Sequence, residues 1–215
     1  MTENGTPEPH LDGPGKAGGG RGLLAFAVPL ATAGLNFHGM ADDAAPLVPA
    51  TVAGFANCVA PADGARFVSV ESSDPQVREK ANAQWYELGR DLGLFGGTDG
   101  RFLVAVDLDE QTWPRARRWA VVSLADTWDV MGTGAAGVLG AGYLLPGFVM
   151  QSLGGEVVVR GDTWESEIGA AAVRHPHRVP VLRARATAAA TGDDLYQRAA
   201  AKRWLDAYPH PGTNP

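Results

Sequence analysis

The chain has 215 residues, 45% hydrophobic and 20% charged, with a formal net charge of −6. That is ordinary globular composition, and a chain of this length buries roughly 70% of its unfolded surface without a disulfide framework or structural metal. The acidic balance excludes a generic binder of nucleic acid or anionic membrane, because such binders need clustered cations.

One cysteine, Cys58, excludes internal disulfides and fits a reducing, cytoplasmic compartment. Abundant Ala, Gly and Arg with few Lys is the composition of a GC-rich bacterial gene. Residues 1–21 are Gly, Pro and polar, with almost nothing to bury, and are expected to form a disordered tail. The apolar run Gly22 to Leu35 is too short to span a bilayer and carries Pro29, so it reads as a strand leading into a helix or loop. Residues 36–63, broken by Pro46, Pro49 and Pro61, read as loop, with one short helix placing Cys58 in the core.

The alternating ARFVSVE reads as a strand, with Phe67 and Val70 expected to be buried. Asp74-Pro75 then starts a helix running to Leu92, with Trp85, Leu88 and Leu92 as its core stripe and Gly93 as its stop. Strands follow at RFLVAVDLD, WAVVSLAD and EVVVRGD, with a helical DEQTWPRARRW between the first two and an uncharged, glycine-studded run from Val130 to Gly155 before the third. Trp164 to Val173 reads as a helix or irregular segment. The alternating RVPVLRARAT reads as a last strand. Asp193-Asp194 then caps a final helix, Leu195 to Ala207, with Tyr196, Ala200, Trp204 and Leu205 inward, and 209–215 is a flexible end. The expectation is one α+β or α/β domain over 22–208, with a mixed sheet of about five to six strands and helices packed on it. The echo Asp126-Thr127-Trp128-Asp129 and Asp162-Thr163-Trp164-Glu165 is what a duplicated strand–turn unit would produce.

Gly132, Gly134 and Gly137 match G-x-G-x-x-G, the spacing of a cofactor-binding turn in which glycines let a pyrophosphate approach a helix N-terminus. A helix from Ala135 to Leu153 would then lead to Asp162 as a ribose ligand, or to Arg160 facing a 2′-phosphate. Pro146, Gly140 and Gly142 oppose that helix, and Thr133 to Leu153 is also long and uncharged enough for a membrane span. The plainest reading makes the run buried filling against the sheet.

Asp107-Leu-Asp109-Glu-Gln-Thr112 after the strand FLVAV resembles the nucleophile loop of haloacid dehalogenase-type phosphotransferases, D-x-D-x-T or D-x-D-x-V. The resemblance covers a handful of residues. It implies Asp107 as catalytic nucleophile, Asp109 as acid and base, Mg²⁺ as cofactor, and Ser123 with Asp193-Asp194 as later phosphate and metal residues. Thr112 falls one residue late for that pattern. His175-Pro-His177 has metal-ligand spacing, and His38 with Asp42 would complete a site. Trp113 and Trp119 near Arg115, Arg117 and Arg118 suggest a basic–aromatic patch.

No catalytic constellation with internally consistent spacing emerges from these motifs. The sequence therefore favours a cytoplasmic binding or accessory protein, regulatory or immunity-type, with no cofactor, acting on a protein partner rather than a small molecule, nucleic acid or membrane. The alternatives are a Mg²⁺- or nucleotide-dependent enzyme built on Asp107/Asp109 or the Gly132–Gly137 loop, and an assembly or membrane-associated subunit built on 130–155.

Overall fold

The computed structural model describes residues 19–96, 99–107, 117–141 and 145–209. Of the expected segments, the disordered 1–18, the flexible 210–215 and 109–116 of the helical DEQTWPRARRW lie outside them; the last residues of that segment, Arg117 to Trp119, are strand rather than helix, drawn into a ladder opposite 105–107. The order is α1 (Gly19–Thr32), β1 (Leu35–Met40), α2 (Ala50–Ala53), β2 (Ala65–Glu71), α3 (Val77–Leu92), β3 (Phe102–Asp107), β4 (Arg117–Leu124), β5 (Val149–Ser152), β6 (Val157–Trp164), β7 (Glu167–Arg174), α4 (Pro180–Ala189) and α5 (Leu195–Ala207). The strands form one sheet in the order β1-β4-β3-β5-β6-β7-β2, with every pair antiparallel.

The α+β class holds, but the sheet has seven strands, not five or six, and it is not mixed. The differences have physical causes. EIGAAAVR carries alanines that favour helix in isolation, yet as β7 it is buried on both faces, where small side chains let layers close on each side. RVPVLRARAT alternates like a strand, but Pro180 sits at a helix start, and Leu182 and Ala186 are spaced i, i+4, so α4 buries them together. Residues 22–32 continue a helix that begins inside the expected tail. β1 and β5 come from stretches that read as loop and as glycine run.

Two apolar cores lie on opposite faces of the sheet. On one, α1 and α3 cover Phe102, Val104, Val106, Ala120, Val122, Met150, Val159, Ala170 and Ala172. On the other, α2, α4 and α5 cover Leu103, Trp119, Val149, Val158 and Val173. Trp85 of α3 is fully buried and meets Phe95, Trp128 and Phe148 edge-to-face at 5.4–6.2 Å, and Leu88 and Leu92 are buried beside it, as the helix stripe predicts. Gly93, at φ +87, ends α3 in the left-handed turn. The helix itself starts at Val77; Asp74 caps the turn before it by accepting from the Gln76 N–H at 2.8 Å.

Alternation explains one misplacement. Val70 faces α3 and is buried, whereas Phe67 points to the other face, beyond its helices, and is 42% exposed. In α5 Trp204 is buried as expected, but Gln197 and Ala201 are buried with it in place of Tyr196 and Ala200, and Asp194 caps the helix through the Tyr196 and Gln197 N–H groups at 2.9 and 3.0 Å. Cys58, expected in the core, is exposed. The two D-T-W stretches differ in structure: Trp128 lies in the irregular segment after β4, whereas Trp164 ends β6.

Trp85→Ala is expected to lower unfolding free energy by about 3–5 kcal/mol, read from denaturant midpoints, because three aromatic rings lose their shared partner.

Candidate functional site

β3 pairs with β5 only at Phe102, Leu103 and Val104. Past Val104 the two strands part. Val149 is already paired with Arg160 of β6, and the Phe148 carbonyl accepts the Gly161 N–H at 3.1 Å, so β5 is drawn towards β6. Gly161 permits this, since a side chain there would strike the Phe148 ring. The parting leaves a cleft of about 580 Å³ at the rim of the sheet. Its walls are Ala25, Phe26 and Pro29 of α1, Ala105 and Asp107 of β3, Arg117 of β4, and Gly137, Val138, Gly140, Gly147, Phe148 and Val149. That volume lies in the range of small-ligand sites, about 300–1,000 Å³.

The cleft brings together two stretches that the sequence singles out separately, Asp107 and the end of the glycine motif. Asp107 and Arg117 face each other in the β3–β4 ladder, and the Arg117 Nε donates to the Asp107 carboxylate at 2.9 Å with both side chains partly buried. A divalent cation at Asp107 would therefore lie beside a guanidinium, which opposes it. Asp109 lies outside the described residues. Ser123 does not join this group: its hydroxyl is 2.8 Å from His38 Nε2, between β4 and the edge strand β1. Asp194 is occupied as the α5 cap, and Asp193 is exposed.

The glycine motif does not open a helix after a strand. Val130–Gly134 is a single wide helical turn, followed by turns to Leu139 and an isolated bridge between Gly140 and Pro146. The amides do cradle an anion, but it is the chain's own. Asp129 accepts from the Gly132 N–H at 2.9 Å, the Thr133 N–H at 2.7 Å, the Thr133 hydroxyl at 2.8 Å and the Asn82 amide at 2.6 Å. Burial alone would raise this carboxyl, but those four donors hold it below the ordinary aspartate range. Gly132 and Gly134 are buried, and only Gly137 of the motif reaches the cleft. The interior-filling reading holds for Val130, Met131, Ala135 and Leu139, all buried. Among the described residues no helix is long and apolar enough to cross a membrane.

The other candidates are dispersed. His175 Nδ1 meets Glu156 at 2.6 Å, and His177 stacks on Tyr208 at 4.5 Å, its basicity lowered first by burial and then by Arg178, His175 and Arg183, against an opposite pull from Glu156. The Asp42 carboxylate accepts from the Ala44 N–H. Among the described residues no group of three or more His, Cys, Asp or Glu is placed to hold a metal ion. Trp119 is buried, donating to the Val48 carbonyl at 2.9 Å, and Arg118 pairs with Asp43, so this part of the basic–aromatic patch is neutralised; Trp113 and Arg115 lie outside the described residues.

What sequence reasoning missed is the parting of β3 from β5. It has one local signal, Phe148 and Gly161 as a large–small pair, which means something only once the register is known. Comparison with protein-family models, with curated proteins and with solved structures gives no match to this chain.

Asp129→Ala is expected to cost about 2–3 kcal/mol, since it orphans partly buried amide donors. The pH dependence follows from the lowered pKa of Asp129. A folded value below the unfolded one, about 3.9, contributes stability that is complete above the unfolded value and is lost as pH falls through the folded one. Acid titration of the wild type should therefore show a loss below about pH 4 that Asp129→Asn lacks.

Proposed function

We propose that this protein works by binding a protein partner, as an accessory, regulatory or immunity-type molecule of the bacterial cytoplasm, and that its sheet and helices are one folding domain. The observation that carries the reading is the make-up of the cleft. Phe26, Val138, Phe148 and Val149 offer an apolar wall, and the Asp107–Arg117 pair offers one acceptor–donor couple at its side. The β3 edge beyond Val104 adds backbone groups with no β5 partner. Such a cleft suits an amphipathic side chain or short loop, whose apolar body is buried while its polar end is hydrogen-bonded. Pairing of Arg117 with Asp107, Arg118 with Asp43 and Arg160 with Asp162 supports a partner other than nucleic acid, because paired guanidiniums release few phosphate counterions. The single cysteine supports the cytoplasmic assignment.

Val138 is only partly buried, so Val138→Trp fills the cleft at small structural cost. It is expected to leave the thermal midpoint nearly unchanged and to reduce partner recovery from native-host extract roughly tenfold, the loss that follows about 1.4 kcal/mol of binding energy. Undiminished recovery by the filled variant rejects the cleft as the contact.

A second reading, a Mg²⁺- or nucleotide-dependent enzyme, is favoured by one observation: Asp107 and Gly137 share this cleft. It requires that Mg²⁺ with ATP, GTP or NAD(P) at about 100 times the dissociation constant stabilise the fold by about 2.7 kcal/mol, several degrees for a chain of this size. Asp107→Asn should abolish that shift. The binding reading expects no shift in a thermal melt.

A further inference from the structure

The two edges of the sheet are finished differently. β1 is interrupted by a register shift between Phe37 and Gly39, whose φ of +133 suits only glycine, and this bulge breaks the edge at His38. β2 pairs with β7 without interruption from Ala65↔Val173 to Glu71↔Glu167. Past Ala65, whose N–H meets the Ala60 carbonyl, no strand or loop backbone among the described residues is bonded to its outer side. A straight, unbulged edge is a template for another strand.

The surface beside that edge carries its own chemistry. Phe67, Ser69 and Glu71 of β2 share a face with Glu167 of β7 and Trp164 of β6. On this face only the start of the strand is covered: Ala65 is buried, whereas Phe67, Ser69 and Glu71 are exposed. The Phe67 and Trp164 rings meet edge-to-face at 6.5 Å. Glu71 stands directly opposite Glu167, a like-charge cross-strand pair that costs stability, and Glu165 is exposed at the adjoining hairpin tip. No ion pair to Glu71, Glu165 or Glu167 forms among the described residues. The cation on this face, Arg160, is held by Asp162 at 2.9 Å.

We propose that the outer edge of β2 takes up an extended, basic segment of a partner protein, which adds an eighth strand beside β2. Every second side chain of that segment falls on the Phe67–Glu71 face. An Arg or Lys there reaches Glu71 directly and the Glu167 carboxylate and Trp164 ring across it. The cation offsets the Glu71–Glu167 repulsion and lies against an aromatic face. This contact is separate from the β3–β5 cleft and does not depend on it.

The probe is a fluorescein-labelled eight-residue peptide alternating Arg and Thr, its anisotropy followed against the full chain and compared with a Glu/Thr peptide. The Arg/Thr peptide is expected to bind and the Glu/Thr peptide not to. Glu167→Lys should weaken binding roughly tenfold or more while holding or raising the thermal midpoint, because the introduced ammonium would pair with Glu71. Glu87→Lys, the same charge change on α3, and Val138→Trp in the cleft should both leave binding unchanged. An Arg/Thr peptide N-methylated at alternate amides should lose binding, since it cannot complete a ladder. Equal binding of the acidic peptide, an equal effect of Glu87→Lys, or full binding of the methylated peptide overturns the proposal. So does a sedimenting dimer that Phe67→Ala dissolves, which would assign the edge to a second copy.

Discussion

The constraint that organises this molecule is that one antiparallel sheet is buried on both faces. An antiparallel sheet with one face in water alternates apolar and polar residues. Here the middle strands cannot, because α1 and α3 close one side while α2, α4 and α5 close the other. Hence β3 buries Phe102, Leu103 and Val104 in succession, β6 buries Val157, Val158 and Val159, and β7 buries Ala170 through Val173. Only towards the edges does alternation return, as in β2, where Val70 is buried and Ser69 and Glu71 are not.

The uncharged middle of the chain follows from the same demand. Val130 through Leu139 fills space between α1, α3 and the sheet, and a turn so placed leaves amide N–H groups without water. Asp129 supplies the missing acceptor from within, tied to α3 through Asn82, which also accepts the Met131 N–H at 2.8 Å. A spacing that resembles a phosphate cradle thus serves an internal anion, because the physics of converging amide donors does not distinguish a ligand's oxygen from the chain's own.

Where the two-sided covering gives out, the molecule offers surfaces. At one rim β5 leaves β3 to follow β6, opening a cleft that the Asp107–Arg117 pair lines. At the far edge one face of β2 runs past its covering helices, leaving aromatic rings and carboxylates that, among the described residues, have no ion-pair partners on a continuous ladder. Both features lie at the limits of the sheet, where a strand ladder ends: β5 pairs with β3 no further than Val104, and among the described residues no strand pairs with the outer side of β2. That is the common physical ground for reading the chain as a binder.

The chain by itself determined the strands β2, β3, β4 and β6, the α3 stripe of Trp85, Leu88 and Leu92, the Asp194 cap and the Gly93 stop. Each depends on neighbours within a few residues: β-branched runs, 3.6-residue spacing, a capping carboxylate, a glycine able to turn left-handed. Asp107 and Gly137 were legible as candidates from local spacing, though not as neighbours. Tertiary structure alone decided that the alanines of β7 form a strand, that Arg178 to Thr187 lies mostly in a helix, that Phe67 and Cys58 face solvent, and that Asp107 shares a cleft with Gly137. Those outcomes depend on which face of the sheet a helix covers and where two strands part. Such contacts join residues tens of positions apart, and no local pattern encodes them.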